Sequence, residues 1–201
     1  MIKKYRLKYM LLFFKEMISL PKRGEMQMKW AWLPSFFTIG NLITGAISLF
    51  FSIQMMYKAA LIMIIVAAFC DVMDGLVARW LRCSSDFGKQ LDSLADIVSF
   101  GVAPAFLIFL LKLSDIDWMG MVIVVLFIAC GALRLARFNL SAPSIGFVGM
   151  PITAAGLLLA LSSLLSENLN PWIFVPIMGL LSFLMVSRIP FPSLKRNIGK
   201  K

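Results

Sequence analysis

Residues 71–96 read DVMDGLVARWLRCSSDFGKQLDSLAD, placing four aspartates, Asp71, Asp74, Asp92 and Asp96, in a chain with only ten acidic residues and no histidine. Apolar runs flank the stretch, LIMIIVAAFC over 61–70 and IVSFGVAPAFLIFLL over 97–111. An ionised carboxylate at membrane depth costs roughly 2.5–3.5 kcal/mol on insertion scales. Four in this setting mark a site that holds cations or moves protons. A helix turns about 100° per residue, so Asp71, Asp74, Gly75, Ala78 and Arg79 share one side of one helix, the second along the chain. Gly88, Asp92 and Asp96 step by four along a stripe of the next. Two such stripes face to face bring four carboxylates to one depth.

The rest of the composition fits a membrane protein. The 201 residues are 60% hydrophobic and 15% charged, with a mean hydropathy of +0.88, outside the range of soluble domains. Six apolar stretches near 31–53, 59–80, 90–112, 118–138, 149–166 and 171–189 approach the ~20 residues a bilayer core requires. The expected fold is all-α, a polytopic bundle of six transmembrane helices. Gly101 and Pro104 predict a bend in the third helix, with a local cavity beside Asp96. No polar linker divides the chain. The expected organisation is a basic amphipathic juxtamembrane helix over 1–29, one membrane domain over 30–190 and a basic tail over 191–201.

The net charge of +10 does not indicate a nucleic-acid partner, because its distribution follows the membrane. With the N-terminus cytoplasmic, only Lys58 and Lys112 of the twenty basic residues fall outside. That asymmetry predicts cytoplasmic termini and puts the 79–89 connection, with the aspartates beside it, at the cytoplasmic face. Trp30, Trp32, Trp118 and Trp172 read as interfacial anchors. Cys70, Cys83 and Cys130 lack metal-ligand spacing and read as small apolar residues.

Carboxylates this close cannot all stay ionised without compensation. All-oxygen ligands favour a hard divalent cation such as Mg²⁺ or Mn²⁺, usually shared with substrate phosphates. Gly75 and Ala78 remove bulk where a ligand must approach the helix, and Arg79 adds a planar charge suited to phosphate. The combination describes a site for a metal-bridged diphosphate.

The pattern DxxDGxxAR, eight further residues, then GxxxDxxxD resembles the signature of the CDP-alcohol phosphatidyltransferases and matches it at Asp71, Asp74, Gly75, Ala78, Arg79, Gly88, Asp92 and Asp96. The runs LDSLADIVSFGVAPA over 91–105 and ALRLARFN over 132–139 are similar to the bacterial phosphatidylserine synthases of that family. So are Gly149-Met150-Pro151 and the first-helix pattern of Pro34, Thr38, Asn41 and Gly45, where Ser35 replaces an asparagine. The resemblance spans roughly residues 34–151. It implies that Asp71, Asp74 and Asp92 bind Mn²⁺ or Mg²⁺, and that Asp96 joins them, serves as general base, or does both. It also implies that the CDP head lies against Gly75, Ala78, Arg79 and Gly88. Thr38 and Asn41, polar residues in an apolar helix, are expected to reach the cytidine.

The implied reaction joins CDP-diacylglycerol and L-serine, giving phosphatidylserine and CMP, in a homodimer among the lipids of a bacterial cytoplasmic membrane. Arg137, and with it Arg134, would bind the serine carboxylate or the migrating phosphate. The structural alternative has both arginines snorkelling to the surface or pairing with a motif aspartate. For Thr38 and Asn41 the alternative is interhelical hydrogen bonding. Ser93 and Ser99 read as packing or helix-bonding residues. Two other functions compete: the same transfer to glycerol 3-phosphate or inositol phosphate, and a cation-coupled transporter, against which the absence of an internal repeat argues.

Overall fold

In the computed structural model, residues 32–81, 86–140 and 149–187 are described. The chain divides into Met1–Trp32 and Leu33–Lys201, and all described residues but Trp32 lie in the second unit. The juxtamembrane helix expected over 1–29 and the tail over 191–201 lie outside them.

The described residues are helical throughout, joined by short turns: α1 (Trp32–Ile53), α2 (Tyr57–Leu81), α3 (Asp86–Asp96), a π-helical segment (Ile97–Val102) and α4 (Ala103–Leu111). A 3₁₀ turn (Leu113–Ile116) leads to α5 (Asp117–Leu140), and α6 (Ile152–Ser162) runs on into a 3₁₀ segment (Ser163–Asn168). Another short turn (Pro171–Ile173) opens α7 (Phe174–Val186). Four stretches are long and apolar enough to cross a membrane, Ser35–Ile53, Tyr57–Trp80, Asp86–Leu111 and Trp118–Leu140, and two apolar helices, Ile152–Ser166 and Pro171–Val186, are shorter.

Helices are the form that satisfies backbone polar groups within each segment when no water is at hand. Their side chains are apolar on the outward faces too. Phe36, Phe50, Phe69 and Phe183 are each more than 60% exposed, a surface suited to lipid and not to water.

The span Asp86–Leu111 is the most buried of the four. Its π segment and α4 pack against α2, α5 and α6, while α5 lies along α7. Phe100, Leu107, Ile108, Phe127, Ile152 and Leu159 fill the interior between them.

The irregularity expected near Gly101 and Pro104 takes the form of the π segment. Pro104 sits in the first turn of α4, has no amide hydrogen, and in a regular helix its ring would crowd the carbonyl four residues back. Widening the preceding turn accommodates it: the Ala103 amide donates to the Val98 carbonyl, five residues back.

That wide turn is held on two sides. A methyl added at Gly45 of α1 would come within 2.8 Å of the Ser99 Cα, and one at Gly156 of α6 within 2.8 Å of the Phe100 Cα. Backbone thus meets backbone, as small residues allow in membrane helices.

The contacts sort into two ends. At one, Ser48 donates to the Ala60 carbonyl at 2.9 Å and Tyr57 to the Leu110 carbonyl at 3.3 Å. At the other end stand the motif aspartates, Arg134, Arg137 and the start of α6. Overpacking of this kind costs about 1–3 kcal/mol, so Gly45→Ala should lower thermal stability in detergent by about that amount. Unchanged melting would show that α1 has room to move off the π segment.

Candidate active site

Asp71 and Asp74 stand on the C-terminal part of α2, and Asp92 and Asp96 on α3. A ligand oxygen from each of Asp71, Asp74 and Asp92 lies within 4.8 Å of the others. The structure therefore brings together the three residues that the resemblance assigns to metal. Asp96 is 7% exposed, as is Asp74, and lies in the electrostatic field of the other three carboxylates and of Arg134.

The donor set fits a hard divalent cation. All ligands are carboxylate oxygens, their spacing suits a shared ion, and Asp92 Oδ1 is buried with no hydrogen-bond partner. An unpartnered buried carboxylate oxygen among other carboxylates calls for a positive charge.

Space for a ligand lies beside these groups. A methyl added at Gly75 would meet no atom within 4 Å, so the helix backbone there faces open space one residue from Asp74. Ala78 and Gly88 are half-buried at the same end. Arg79 is exposed and donates through Nε to the Gly75 carbonyl at 2.9 Å. That bond keeps the guanidinium along its own last helical turn, where a cation also complements the helix dipole.

Thr38 and Asn41 reach the aspartates themselves. The Thr38 hydroxyl donates to Asp74 Oδ2 at 3.0 Å. The Asn41 amide donates to Asp96 Oδ1 at 3.5 Å, the outer limit of such a bond. Asn41 is fully buried, and its Oδ1 has no partner.

The two arginines of α5 diverge. Arg134 is half-buried, stacks over the Phe138 ring at 5.5 Å and is attracted to Asp96. Arg137 is exposed and donates through Nη1 to the Val186 carbonyl at 3.0 Å, at the end of α7.

Two further contacts were not anticipated from the sequence. Asn139 of α5 donates to the Ser93 hydroxyl at 3.0 Å, between the two aspartates of α3. The Ser99 hydroxyl donates to the Asn41 carbonyl at 2.9 Å. The nearest sequence signal was the position of Ser99 within one turn of Asp96.

Fold and site together describe an apolar helical bundle, with helices long enough to cross a membrane, that carries a carboxylate cluster at one end. A family model described as CDP-alcohol phosphatidyltransferase matches residues 31–186, and the chain belongs to the CDP-alcohol phosphatidyltransferase family. It is 37% identical over 167 residues to the CDP-diacylglycerol–serine O-phosphatidyltransferase of Bacillus subtilis (strain 168), covering 83% of this chain and 93% of the relative. A protein of the same name from Helicobacter pylori (strain ATCC 700392 / 26695) is 35% identical over 172 residues, 81% of this chain and 73% of the relative. Another, from Methanocaldococcus jannaschii, is 36% identical over 168 residues, 83% and 76% respectively.

Asp92 contributes the orphaned oxygen, so its charge should be needed for the ion. Outer-shell changes alone cost 10–100-fold in metal affinity, and Asp92→Asn should weaken Mn²⁺ binding by at least about ten-fold. Electron paramagnetic resonance of the detergent-solubilised chain measures this, and wild-type affinity in the variant would exclude Asp92 as a ligand.

Proposed function

We propose that the chain transfers the phosphatidyl group of CDP-diacylglycerol to the hydroxyl of L-serine, giving phosphatidylserine and CMP. The observation that carries this reading is the three-carboxylate cluster beside the open face of Gly75, in a chain similar over most of its length to serine O-phosphatidyltransferases.

In this reading Asp71, Asp74 and Asp92, with or without Asp96, hold Mn²⁺ or Mg²⁺. When bound, the ion supplies charge neutralisation of the diphosphate and stabilises the departing CMP. The face formed by Gly75, Ala78 and Gly88 admits the nucleotide head, and Arg79 supplies a charge for it. Asp96 takes the proton as the serine oxygen bonds to the phosphorus that carries diacylglycerol. The bond from that phosphorus to the CMP oxygen breaks, and CMP leaves with the electron pair. Arg137 and Arg134 bring positive charge to the serine carboxylate or the phosphate.

We place six spans in a bacterial cytoplasmic membrane, with both termini and the active site on the cytoplasmic side. Helix lengths support six. The 11 residues of α6 and the 6 of its 3₁₀ continuation rise about 28 Å at 1.5 and 2.0 Å per residue. The 3 and 13 residues of the last pair rise about 25 Å. Both lengths approach the ~30 Å hydrocarbon core. The bias of basic residues toward one side supports the orientation. The working form is a homodimer, an expectation that rests on the family.

The purified chain should release CMP from CDP-diacylglycerol when given serine and Mn²⁺ or Mg²⁺, and cease with chelator. Release with glycerol 3-phosphate and not serine would overturn the choice of acceptor. A general base contributes about 10²–10⁴-fold, and Asp96→Asn should lose turnover in that range. Normal turnover would remove Asp96 from the role of base.

Loss of a charge-assisted hydrogen bond costs about 1.5–3 kcal/mol. Arg137→Ala should therefore raise the KM for serine by about ten-fold or more and that for CDP-diacylglycerol much less. Equal rises would mean that Arg137 meets the phosphate instead.

A further inference from the structure

We infer that Thr38 and Asn41 are positioning residues: from α1, which supplies none of the motif carboxylates, they set the orientation of Asp74 on α2 and Asp96 on α3. The inference rests on the reading of the aspartates as a metal-dependent transfer site. It concerns how that site is held and not which acceptor it takes.

Thr38 is 4% exposed and its hydroxyl proton is directed across the helix interface to Asp74 Oδ2 at 3.0 Å. Thr44, two turns along α1, donates to the Gly40 and Asn41 carbonyls at 2.9 and 3.0 Å. The bond from Thr38 engages one oxygen of Asp74, a carboxylate that belongs to the cluster. A ligating carboxylate needs such an outer partner to hold its rotamer, and losing one typically costs 10–100-fold in metal affinity.

Asn41 acts one turn further along. Its amide faces Asp96 Oδ1, and the reverse orientation would set its carbonyl oxygen against a carboxylate. The residue is pinned from behind, where its backbone carbonyl accepts from Ser99 Oγ at 2.9 Å and from Thr44 Oγ1 at 3.0 Å. Ser99 belongs to the π segment that begins immediately after Asp96, and Gly45 lets α1 approach it closely. The wide turn thus ties the residue that positions Asp96 to the helix that carries Asp96. π-helical turns of this kind are frequent at functional sites.

The test compares Thr38→Val, which keeps the shape and removes the hydroxyl, with Thr38→Ser, which keeps the hydroxyl. Mn²⁺ binding is titrated on the full chain in detergent, and CMP binding is measured at saturating Mn²⁺. The valine variant should bind Mn²⁺ about 10–100-fold more weakly, with serine restoring affinity and CMP binding within about two-fold of wild type throughout. Wild-type Mn²⁺ affinity in the valine variant overturns the inference. So does a loss of CMP affinity with Mn²⁺ binding intact, which would make Thr38 a nucleotide contact.

For Asn41, Ser99→Ala removes the pinning hydroxyl without touching the site. It should lower kcat several-fold, on the order of the loss from a slight misplacement, with both KM values within about two-fold. An unchanged kcat there and in Asn41→Ala overturns that half. A wild-type chain that binds Mn²⁺ but releases no CMP with serine would sink the proposed reaction, and with it the Asn41 half, and leave the Thr38 half standing on its binding readout. A wild-type chain that binds no Mn²⁺ would overturn the inference itself.

Discussion

Carboxylates removed from water and set against one another are the constraint on which the rest of this bundle depends. Asp71, Asp74 and Asp92 offer oxygens within 4.8 Å of one another, and Asp96 is almost wholly enclosed. The protein meets that cost with donors from elements that carry no motif carboxylate: the Thr38 hydroxyl and Asn41 amide from α1 and the charge of Arg134 from α5. The four motif aspartates also gather at one end of the bundle. Charges near a helix end are less costly than at the bilayer centre, because the polar interface lies within reach.

The central span works as a template because it is irregular at one place. A regular helix through Pro104 would lose a hydrogen bond and crowd a carbonyl. The π segment distributes that loss over Ile97–Val102, immediately after the last aspartate. Its Ser99 and Phe100 are clasped between Gly45 and Gly156, so α1 and α6 both take their spacing from it. The position of Asp96 is consequently determined by backbone contacts on two neighbouring helices as well as by its own helix.

Much of this was legible in the sequence where the signal is local. Steps of three and four residues placed the aspartates on facing stripes, and the apolar runs located each helical segment to within a few residues. Signals that cross between helices were not legible. Nothing in the periodicity of α1 says that Thr38 will meet Asp74 and Asn41 will meet Asp96, because such pairs depend on how separate helices rotate against each other. The partners of Ser99 and Asn139 were not legible for the same reason: they lie 58 and 46 positions away. Gly101 and Pro104 did signal an irregularity, but proline alone does not distinguish a simple bend from a widened turn.

The arginines of α5 show how one sequence motif divides its labour once helices pack. Three residues apart, Arg134 and Arg137 point about 60° apart around the helix axis, enough to face different neighbours. Arg134 turns inward, toward Asp96 and the Phe138 ring. Arg137 meets the Val186 carbonyl at the end of α7, one of the groups that a helix end leaves without an internal partner, and its charge faces the negative end of that helix's dipole. The same helix end is met by the start of the following segment in space: the Met150 amide donates to the Leu184 carbonyl at 3.1 Å, and Gly149, at a φ of +83°, packs so closely that a methyl there would come within 2.6 Å of the Met185 carbonyl. In the role proposed for Arg137, a guanidinium already fastened in this way would give up little further conformational freedom to an anion, and its planar fork of donors suits a carboxylate or phosphate better than the point charge of lysine.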